Sequence, residues 1–351
     1  MTSFAELFEL EHPIVQGPFG GGLSSVALAA AVSGAGGLGS YGAHILTPAG
    51  IGELVAELRA ATARPFAVNL WVPHPDEAAA PPDPAALARY AERMRPWYEE
   101  LGLDPASLEH PPPAPEFAEQ VEALLAAAPP VISWVMGIPE PAVLAEARRL
   151  GIRTIGTATT VAEAEAIEAA GMDAVVASGS DAGGHRGSFL RPVHESLVGT
   201  FSLVPQVARA VSVPVIAAGG IADARGVAAA LALGADGVQV GTGFLATEES
   251  GASGVHRAAL AGPEARSTVL TRAFSGRLAR AIPNRFTRGM LPYEAELAPY
   301  PLQYTLTRPV RTAAGLEGHG DLANLWAGQA APLTRRRPAA EYLAELAAGL
   351  H

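Results

Sequence analysis

The sequence predicts a (β/α)₈ barrel, and three observations support this fold. Short β-rich segments recur eight times along the chain. Several of them are apolar throughout, as expected of strands that are buried on both faces. Segments rich in Ala and Leu, with helical periodicity, lie between them. The rival is a doubly wound open sheet, but "GPFGGGLSS" (17–25) fits its G-x-G-x-x-G turn poorly and the alternation continues too long.

The strands and helices can be placed in order. The eight predicted strands are 13–17, 37–42, 66–72, 131–137, 153–158, 174–180, 213–220 and 237–244. Three helices have clear end signals: 24–35 begins with a serine cap, 47–62 begins with a threonine followed by proline, and 160–171 closes on a glycine. Each helix follows a predicted strand, as the barrel requires.

Two segments interrupt the alternation. Residues 74–130, rich in Pro, Ala and Glu, predict helical excursions beside the barrel mouth. Residues 245–312 are Arg-rich, and strand-like segments no longer recur in them. They predict a smaller, mostly helical second domain that is inserted after the eighth strand and covers the active site. The barrel would then comprise 1–244 and 313–351, and "GDLANLWAGQAA" (320–331) would be its last helix.

Composition excludes several kinds of chemistry. The chain has 351 residues, of which 49% are hydrophobic, so a sizeable core can form. A net charge of −11 argues against a nucleic-acid partner. The absence of cysteine excludes disulfides, thiolate nucleophiles and zinc-thiolate sites, and the absence of lysine excludes Schiff-base catalysis.

The N-terminal segment has no targeting signal that we can identify. "MTSFAELFELEHPI" lacks the basic region that precedes the apolar run of a signal peptide. Residues 13–52 are nearly free of charge, but glycines divide them into pieces much shorter than the roughly 20 residues of a membrane span. We therefore expect a cytoplasmic protein without a membrane partner, present as a monomer or a homodimer.

Glycine-rich loops follow the last two predicted strands. They are "AAGGIAD" (217–223) and "QVGTGF" (239–244). The loops after strands seven and eight of such barrels often bind phosphate, and glycines let backbone N–H groups approach it closely. The alternative is that these glycines only make tight strand-to-helix turns.

Two polar residues stand in otherwise apolar strands. Asn69 lies in the third strand and Gln239 in the eighth. Either side chain could satisfy a neighbouring backbone group, or could hydrogen-bond the edge of a flat heterocycle at the barrel mouth. The first loop, 17–25, also exposes backbone at a strand end.

His185 is the candidate catalytic residue. It stands in "SGSDAGGHRGSF" (178–189), which follows the sixth strand, so it should lie on the same face as the phosphate loops. Its neighbouring glycines would let a flat ligand lie close to the backbone. An imidazole can take a proton or donate a hydrogen bond near neutral pH. The other histidines lack metal-ligand spacing, and we infer no metal.

Several long stretches resemble the nitronate monooxygenase family, formerly called 2-nitropropane dioxygenases. They are "PIVQGPFGGGLSSVALAAAVSGAGGLGSYGA", "VNLWVP", "GSDAGGHRGSF", "PVIAAGGIADARGVAAALALGADGVQVGTGFL", "FSGRLARAIPNRF" and "YPLQYTLTRPVRTAAG" with "LWAGQ". The resemblance covers most of the chain in the right order. It implies an FMN-binding barrel with a smaller helical domain, which oxidises alkyl nitronates, above all propionate 3-nitronate, with O₂ by one-electron transfer to the flavin.

The resemblance also implies roles for individual residues. The family's active-site histidine matches His185, and its substrate-side tyrosines match Tyr300 and Tyr304. With the residues of the glycine loops, the implied cofactor contacts are Pro18, Phe19, Gly20, Asn69, Ser178, Gly183, Gly184, Gly219, Gly220, Gln239, Val240, Gly241 and Thr242. The family usually has glutamine where this chain has Ser178, so a shorter hydroxyl replaces an amide there.

Two other functions remain open at this stage. FMN-dependent NAD(P)H:quinone reductases and enoyl-acyl-carrier-protein reductases share the "AGGH" turn and the glycine loops. A function of a different class is a non-redox phosphosugar isomerase or lyase, which would use Asp181 or Asp223 as its base. IMP dehydrogenase is excluded because it needs a cysteine.

Overall fold

Eight parallel strands form one sheet in the computed structural model, which describes residues 3–74, 84–108 and 115–350. The barrel strands are β1 (Ile14–Gln16), β2 (Gly39–Gly42), β3 (Phe66–Trp71), β4 (Val131–Val135), β5 (Arg153–Ala158), β6 (Ala174–Ser178), β8 (Val215–Ala218) and β9 (Gly237–Val240). The two-residue strand β7 (Gly184–His185) lies outside the barrel. Each barrel strand lies within a predicted one.

The sheet closes on itself. Its order is β1-β9-β8-β6-β5-β4-β3-β2, and a parallel bridge between Val15 and Leu38 joins the two ends. The amide of Gln16 donates to the Leu38 carbonyl, and the amide of Leu38 donates to the Ile14 carbonyl, each at 2.9 Å. The predicted (β/α)₈ barrel is therefore confirmed.

The helices surround this barrel and extend beyond it. In order they are α1 (Phe4–Leu7), α2 (Val26–Gly34), α3 (Pro48–Ala61), α4 (Pro84–Glu100), α5 (Phe117–Ala127), α6 (Pro141–Arg149), α7 (Val161–Ala169), α8 (Thr200–Ala210), α9 (Ala224–Ala232), α10 (Thr242–Leu245), α11 (Gly254–Ala261), α12 (Arg285–Met290), α13 (Leu302–Glu317) and α14 (Ala339–Ala347). None of the helices in the described residues combines the length and apolarity needed to cross a bilayer.

The predicted helix starts are confirmed by their caps. The side chain of Ser25 accepts the Leu28 amide at α2, and that of Thr47 accepts the Gly50 amide at α3. At α7, Thr160 and Glu163 form a reciprocal capping box. These side chains satisfy amide groups that the first helical turn leaves without an acceptor.

One end of the barrel is plugged by α1 and the residue after it. Phe4 and Phe8 are almost fully buried and belong to the same apolar cluster as inward-facing strand residues such as Val176 and Ile216. Phe4 also lies against Gly237 at the start of β9. Because the amino ends of the strands are filled in this way, a ligand can enter only at their carboxyl ends.

A second hydrophobic cluster lies outside the barrel. It joins side chains of α4, α12 and α13, for example Met94, Phe286 and Leu306, and the Tyr98 hydroxyl donates to the Leu306 carbonyl at 2.8 Å. The predicted excursion 74–130 therefore divides: α4 packs in this second cluster, whereas α5 packs on α3 as a barrel helix. Residues 75–83 and 109–114 of that excursion lie outside the described residues.

The part of the chain outside the barrel contains strands as well as helices. β10 (Val269–Thr271), β11 (Ala279–Ala281) and β7 form a three-stranded antiparallel sheet, with Ala279 opposite His185. The boundary between residues 312 and 313 falls inside α13, because that helix runs from Leu302 to Glu317. The division into a barrel of 1–244 and 313–351 and a domain of 245–312 stays a prediction.

The prediction of a last barrel helix over 320–331 is wrong. Most of this segment is irregular, and part of its backbone pairs with distant parts of the chain: Trp326 bridges to Ala281 of β11, and the Gln329 amide donates to the Asp181 carbonyl. Tertiary hydrogen bonds thus override the helical pattern of its apolar residues. The helix that completes the barrel is α14, which packs between α2 and α9.

Candidate active site

A cavity of about 1420 Å³, including its open mouth, lies at the carboxyl ends of the strands. Residues at or beyond the ends of all eight barrel strands line it. Of the residues singled out from the sequence, those in its wall are Pro18, Phe19, Gly20, Asn69, Ser178, Gly183, Gly184, His185, Gly219, Gly220, Gln239, Gly241, Thr242 and Tyr304. The barrel therefore brings together residues that are more than 280 positions apart in the chain.

Two predicted site residues are not in the wall. The Val240 side chain is buried in the core between strands and helices, so only its backbone could contribute to a site. Tyr300 lies one layer back, with its ring 5.6 Å from that of Trp71 and 6.4 Å from that of Tyr304. It supports wall residues without being one itself.

The imidazole of His185 is held by a serine from the part of the chain outside the barrel. Its Nε2 atom lies 2.8 Å from the Ser275 hydroxyl, and that hydroxyl lies 3.1 Å from the Arg277 carbonyl. Pairing of β7 with β11 brings the two residues together. Within the described residues Nδ1 has no hydrogen-bond partner, so one ring nitrogen is anchored and the other is available.

His185 is neutral at physiological pH. Burial lowers its pKa well below the ordinary value of 6.5, and the nearby charge of Arg277 lowers it further. His44, which also lines the cavity, has its pKa lowered to about 3, again by burial first and by Arg277 second. Both imidazoles can therefore donate or accept hydrogen bonds without carrying charge.

Aromatic rings surround His185. The Trp71 indole lies edge-on to it at 4.7 Å and stacks on His44 at 3.7 Å with an interplanar angle of 8°. Trp326 lies on another side at 5.1 Å. Gly20 is needed for this packing, because a Cβ there would lie 2.0 Å from Cε1 of His44. These rings give the imidazole an apolar, fixed environment.

The Asn69 side chain hydrogen-bonds a neighbouring backbone group, as one of its two interpretations predicted. Its Nδ2 donates to the carbonyl oxygen and the hydroxyl of Ser133, each at 3.0 Å, and the residue is almost fully buried. The amide group thus ties β3 to β4. Both residues also line the cavity, so the Ser133 hydroxyl joins the polar part of its wall.

A buried arginine shapes the loop that carries His185. Nη1 of Arg186 donates to the Gly179 carbonyl at 2.9 Å, and Nη2 donates to the Ser178 carbonyl at 2.8 Å. Burial lowers the Arg186 pKa to about 10, which leaves it charged at neutral pH. The contact fixes the chain where it leaves β6, immediately before the glycines of the loop.

Two further arginines place positive charge at the cavity. Arg311 lines it directly, with its guanidinium carbon 4.1 Å from the centre of the Tyr304 ring. The Arg277 guanidinium lies 4.5 Å from the Tyr300 ring and 5.5 Å from the Trp71 ring. Asp181 is the carboxylate that lines the cavity, and Thr200 hydrogen-bonds it. The wall therefore favours an anionic ligand.

Three glycines leave room along the wall. A Cβ added at Gly184 would meet no atom within 4 Å, and one at Gly220 or Gly241 would meet none closer than 3.6 Å. Gly184 and Gly220 have φ of +74° and +75°, a region that residues with a side chain avoid. A side chain at these positions would extend into the cavity, so the wall fits a ligand that lies against bare backbone.

The two carboxylates considered as bases for an isomerase are engaged elsewhere. Oδ2 of Asp181 accepts the amide of Thr200 at 2.7 Å and its hydroxyl at 2.8 Å, at the start of α8. Asp223 caps α9 through the Gly226 amide and pairs with Arg225, and it does not line the cavity. Neither is placed as a free base.

Sequence reasoning did not identify several residues of this site. Trp71 could have been found, because it lies two positions after Asn69 and so faces the same side of β3. Ser275, Arg277 and Arg311 belong to the segment outside the barrel, and no local pattern aims them at the cavity. Trp326 lies in the segment mistaken for a helix.

A family model and a curated relative both match this chain under the description nitronate monooxygenase. A family model described as nitronate monooxygenase matches residues 2–349. A protein of Staphylococcus aureus strain MSSA476 named "Probable nitronate monooxygenase" is 39% identical over 335 residues, which are 95% of this chain and 93% of that protein.

Solved structures are similar over nearly the whole chain. The nitroalkane oxidase from Streptomyces ansochromogenes aligns with a TM-score of 0.89 and 40% identity, covering 99% of this chain and 97% of that one. FabK from Thermotoga maritima aligns with a TM-score of 0.75 and 31% identity, covering 98% and 94%.

Proposed function

The chain belongs to the nitronate monooxygenase family, and on that premise we propose that it oxidises small alkyl nitronates of the propionate 3-nitronate type with O₂, using FMN bound in the cavity. Its class is that of an oxidoreductase. One observation carries the proposal: a neutral imidazole, His185, shares an open cavity with the Arg311 guanidinium. Such a wall suits a small organic anion beside a flat ring.

Two features of the wall support FMN as its ligand. Gly184, Gly220 and Gly241 present backbone without a Cβ, and the first turn of α10 leaves the amides of Thr242 and Gly243 without an acceptor inside the helix. We assign the phosphate end of FMN to the loops after β8 and β9. FMN, when bound, supplies the acceptor for one electron and the group that reacts with O₂.

His185 can serve either form of the substrate. When the Ser275 hydroxyl donates to the Arg277 carbonyl, Nε2–H of His185 donates to Ser275, and Nδ1 keeps the lone pair that takes a proton from a neutral nitroalkane. When the hydroxyl turns to Nε2, Nδ1 carries the hydrogen and donates it to a nitronate oxygen. Changing from one role to the other therefore requires the other tautomer of His185, in which Nε2 has lost its proton and Nδ1 has gained one, together with a rotation of the Ser275 hydroxyl.

The test is oxygen uptake by the purified protein. With bound FMN and propionate 3-nitronate we expect oxygen consumption that depends on the nitronate concentration. A protein that holds FMN but leaves oxygen untouched with this and with simple alkyl nitronates would contradict the proposal.

One experiment distinguishes the reductase alternative from the proposed monooxygenase. An NAD(P)H:quinone or enoyl-acyl-carrier-protein reductase would bleach its flavin rapidly when mixed with NADPH without oxygen, whereas we expect the colour to persist. The isomerase alternative has no support in the site, because Asp181 is hydrogen-bonded to Thr200 and Asp223 lies outside the cavity.

A further inference from the structure

The Arg311 guanidinium is fixed in the cavity wall by its own helix. Nη2 donates to the Tyr304 carbonyl at 2.9 Å, and Nε donates to the Thr307 hydroxyl at 3.2 Å. The guanidinium also lies over the Tyr304 ring. Positions 304, 307 and 311 share one face of α13, so the helix holds this cation in a single orientation.

Most of its hydrogen-bonding capacity is unused. A guanidinium has five N–H groups, and these two contacts engage one on Nε and one on Nη2. Both hydrogens of Nη1 and one of Nη2 remain, and one hydrogen from each of these nitrogens forms the edge that binds a carboxylate through two parallel hydrogen bonds. Thr307 and Tyr304 occupy the opposite edge, so the free edge is the one available to a ligand.

This cation also lacks a counter-ion. Within the described residues no carboxylate lies within 4.0 Å of Arg311, and burial lowers its pKa from the ordinary value of 12.5. Arg311 is half-buried, and a partly desolvated charge without a partner is less favourable than a paired one. Arg311 thus has the properties of an anion site whose partner comes from outside the chain.

The site is separate from the imidazole. Arg311 lies against Tyr304, and His185 lies against Trp71; neighbouring rings in the series His185, Trp71, Tyr300 and Tyr304 are 4.7 to 6.4 Å apart. The charge of Arg311 nevertheless contributes to lowering the His185 pKa. Both groups line the same cavity, so a ligand bound there lies in a wall that carries both.

We propose that Arg311 binds a carboxylate of the substrate, at the end remote from the carbon that is oxidised, and so selects carboxylated nitronates over plain alkyl nitronates. The inference rests on the proposed function and adds a specificity residue to it. Arg311 would recognise an oxyanion, and the phosphate of the cofactor is also an oxyanion. We assign the oxyanion to the substrate, because the proposed function already places the phosphate at the glycine loops after β8 and β9.

The experiment compares two nitronates of similar length in the flavin-loaded enzyme. Propionate 3-nitronate carries the carboxylate and butyl 1-nitronate does not. In R311Q we expect the ratio of kcat/KM for the first to kcat/KM for the second to fall about 30-fold or more, as the loss of a charge-assisted pair predicts, and R311K to restore part of it. R308Q removes an exposed arginine of the same helix and should leave the ratio unchanged.

A binding measurement makes the test independent of turnover. Succinate, an unreactive dianion, should bind the flavin-loaded protein in calorimetry, and R311Q should weaken its binding at least tenfold while R308Q does not. Equal loss for both nitronates, or unchanged succinate binding in R311Q, would overturn the proposal. Loss of FMN from R311Q would instead assign Arg311 to the phosphate. If the wild type binds succinate through Arg311 but oxidises no nitronate, only the proposed function fails.

Discussion

Nε2 of His185 lies 2.8 Å from the Ser275 hydroxyl, which in turn lies 3.1 Å from the Arg277 carbonyl. A serine hydroxyl has one proton to donate, so it can serve the carbonyl or the imidazole but not both. The tautomer of His185 therefore depends on Ser275, a residue 90 positions away that belongs to the part of the chain outside the barrel.

Ser275→Ala should lower activity without removing the flavin. Without the hydroxyl, the imidazole loses the partner that orients it, a hydrogen bond of about 1 kcal/mol, so we expect kcat to fall about fivefold to tenfold. Because the pKa of His185 lies well below 6.5, the fall in kcat should be similar from pH 6.5 to 8.5. Steady-state kinetics over this range measures it.

Ser188→Ala is the matched control for that change. The Ser188 hydroxyl is buried and has no hydrogen-bond partner in the described part of the chain. Its removal should leave kcat as it is. A wild-type kcat in Ser275→Ala over this pH range would show that Ser275 does not position His185.

Gly184→Ala should impair flavin binding. Gly184 lines the cavity, and among the described residues no atom outside its chain neighbours lies within 4 Å of the new methyl group, which would therefore take up ligand space. Gly151→Ala is its control: Gly151 has φ of +73° against +74° for Gly184 and equally open surroundings, but lies outside the cavity. Both should lose about 1–2 kcal/mol of unfolding free energy from backbone strain.

Flavin titration separates the two glycine variants. We expect Gly184→Ala to need at least tenfold more FMN for half-saturation and Gly151→Ala to match the wild type. Equal affinity in both would place the ligand elsewhere.

Arg186→Gln should destabilise the loop after β6. The guanidinium donates to two carbonyls, of Ser178 and Gly179, and a shorter neutral side chain loses both hydrogen bonds, at a cost of about 2–4 kcal/mol, although the Gly179 carbonyl keeps the amide of Ala182 as a donor. Arg59→Gln removes an exposed arginine that also donates to a carbonyl, that of Ala128, and should cost below about 1 kcal/mol. Urea unfolding at pH 7.5 measures the difference, and equal losses would contradict it.

Stability should fall as the solution is acidified below pH 6.5. His44 and His256 have folded-state pKa values of about 3 and about 4, and that of His185 is also lowered. Below pH 6.5 these histidines bind protons in the unfolded chain but not in the folded chain. Each histidine therefore lowers the free energy of unfolding by up to about 1.4 kcal/mol per pH unit, until the pH reaches its folded-state pKa. Urea unfolding at pH 7.5, 6.5 and 5.5 tests this, and constant stability would refute it.

Much of the barrel could be predicted because its signals are local. Continuous apolar runs such as "AVVAS" mark strands buried on both faces, and capping residues such as Thr47 and Thr160 mark helix starts. The position of His185 also followed, because carboxyl ends of parallel strands must share one face of the barrel. The family that the sequence resembles was also confirmed, because the nitronate monooxygenase model matches residues 2–349.

The remainder of the site depends on contacts between distant segments. Nothing near Ser275 or Arg311 in sequence indicates that β11 pairs with β7, or that α13 turns one face to the cavity. Residues 320–331 show the same limit, since their helical pattern yields to a bridge with β11. Such pairings arise only when the whole chain has folded.

The most direct test of the account is His185→Asn. The variant should keep its FMN, because we propose that the glycine loops hold the phosphate end of the cofactor, and should lose at least about 100-fold in nitronate-dependent oxygen uptake. His194→Asn, which changes an exposed histidine outside the cavity, should retain full activity. A His185→Asn enzyme with wild-type FMN content and wild-type oxygen uptake would contradict the central claim that this imidazole acts on the substrate.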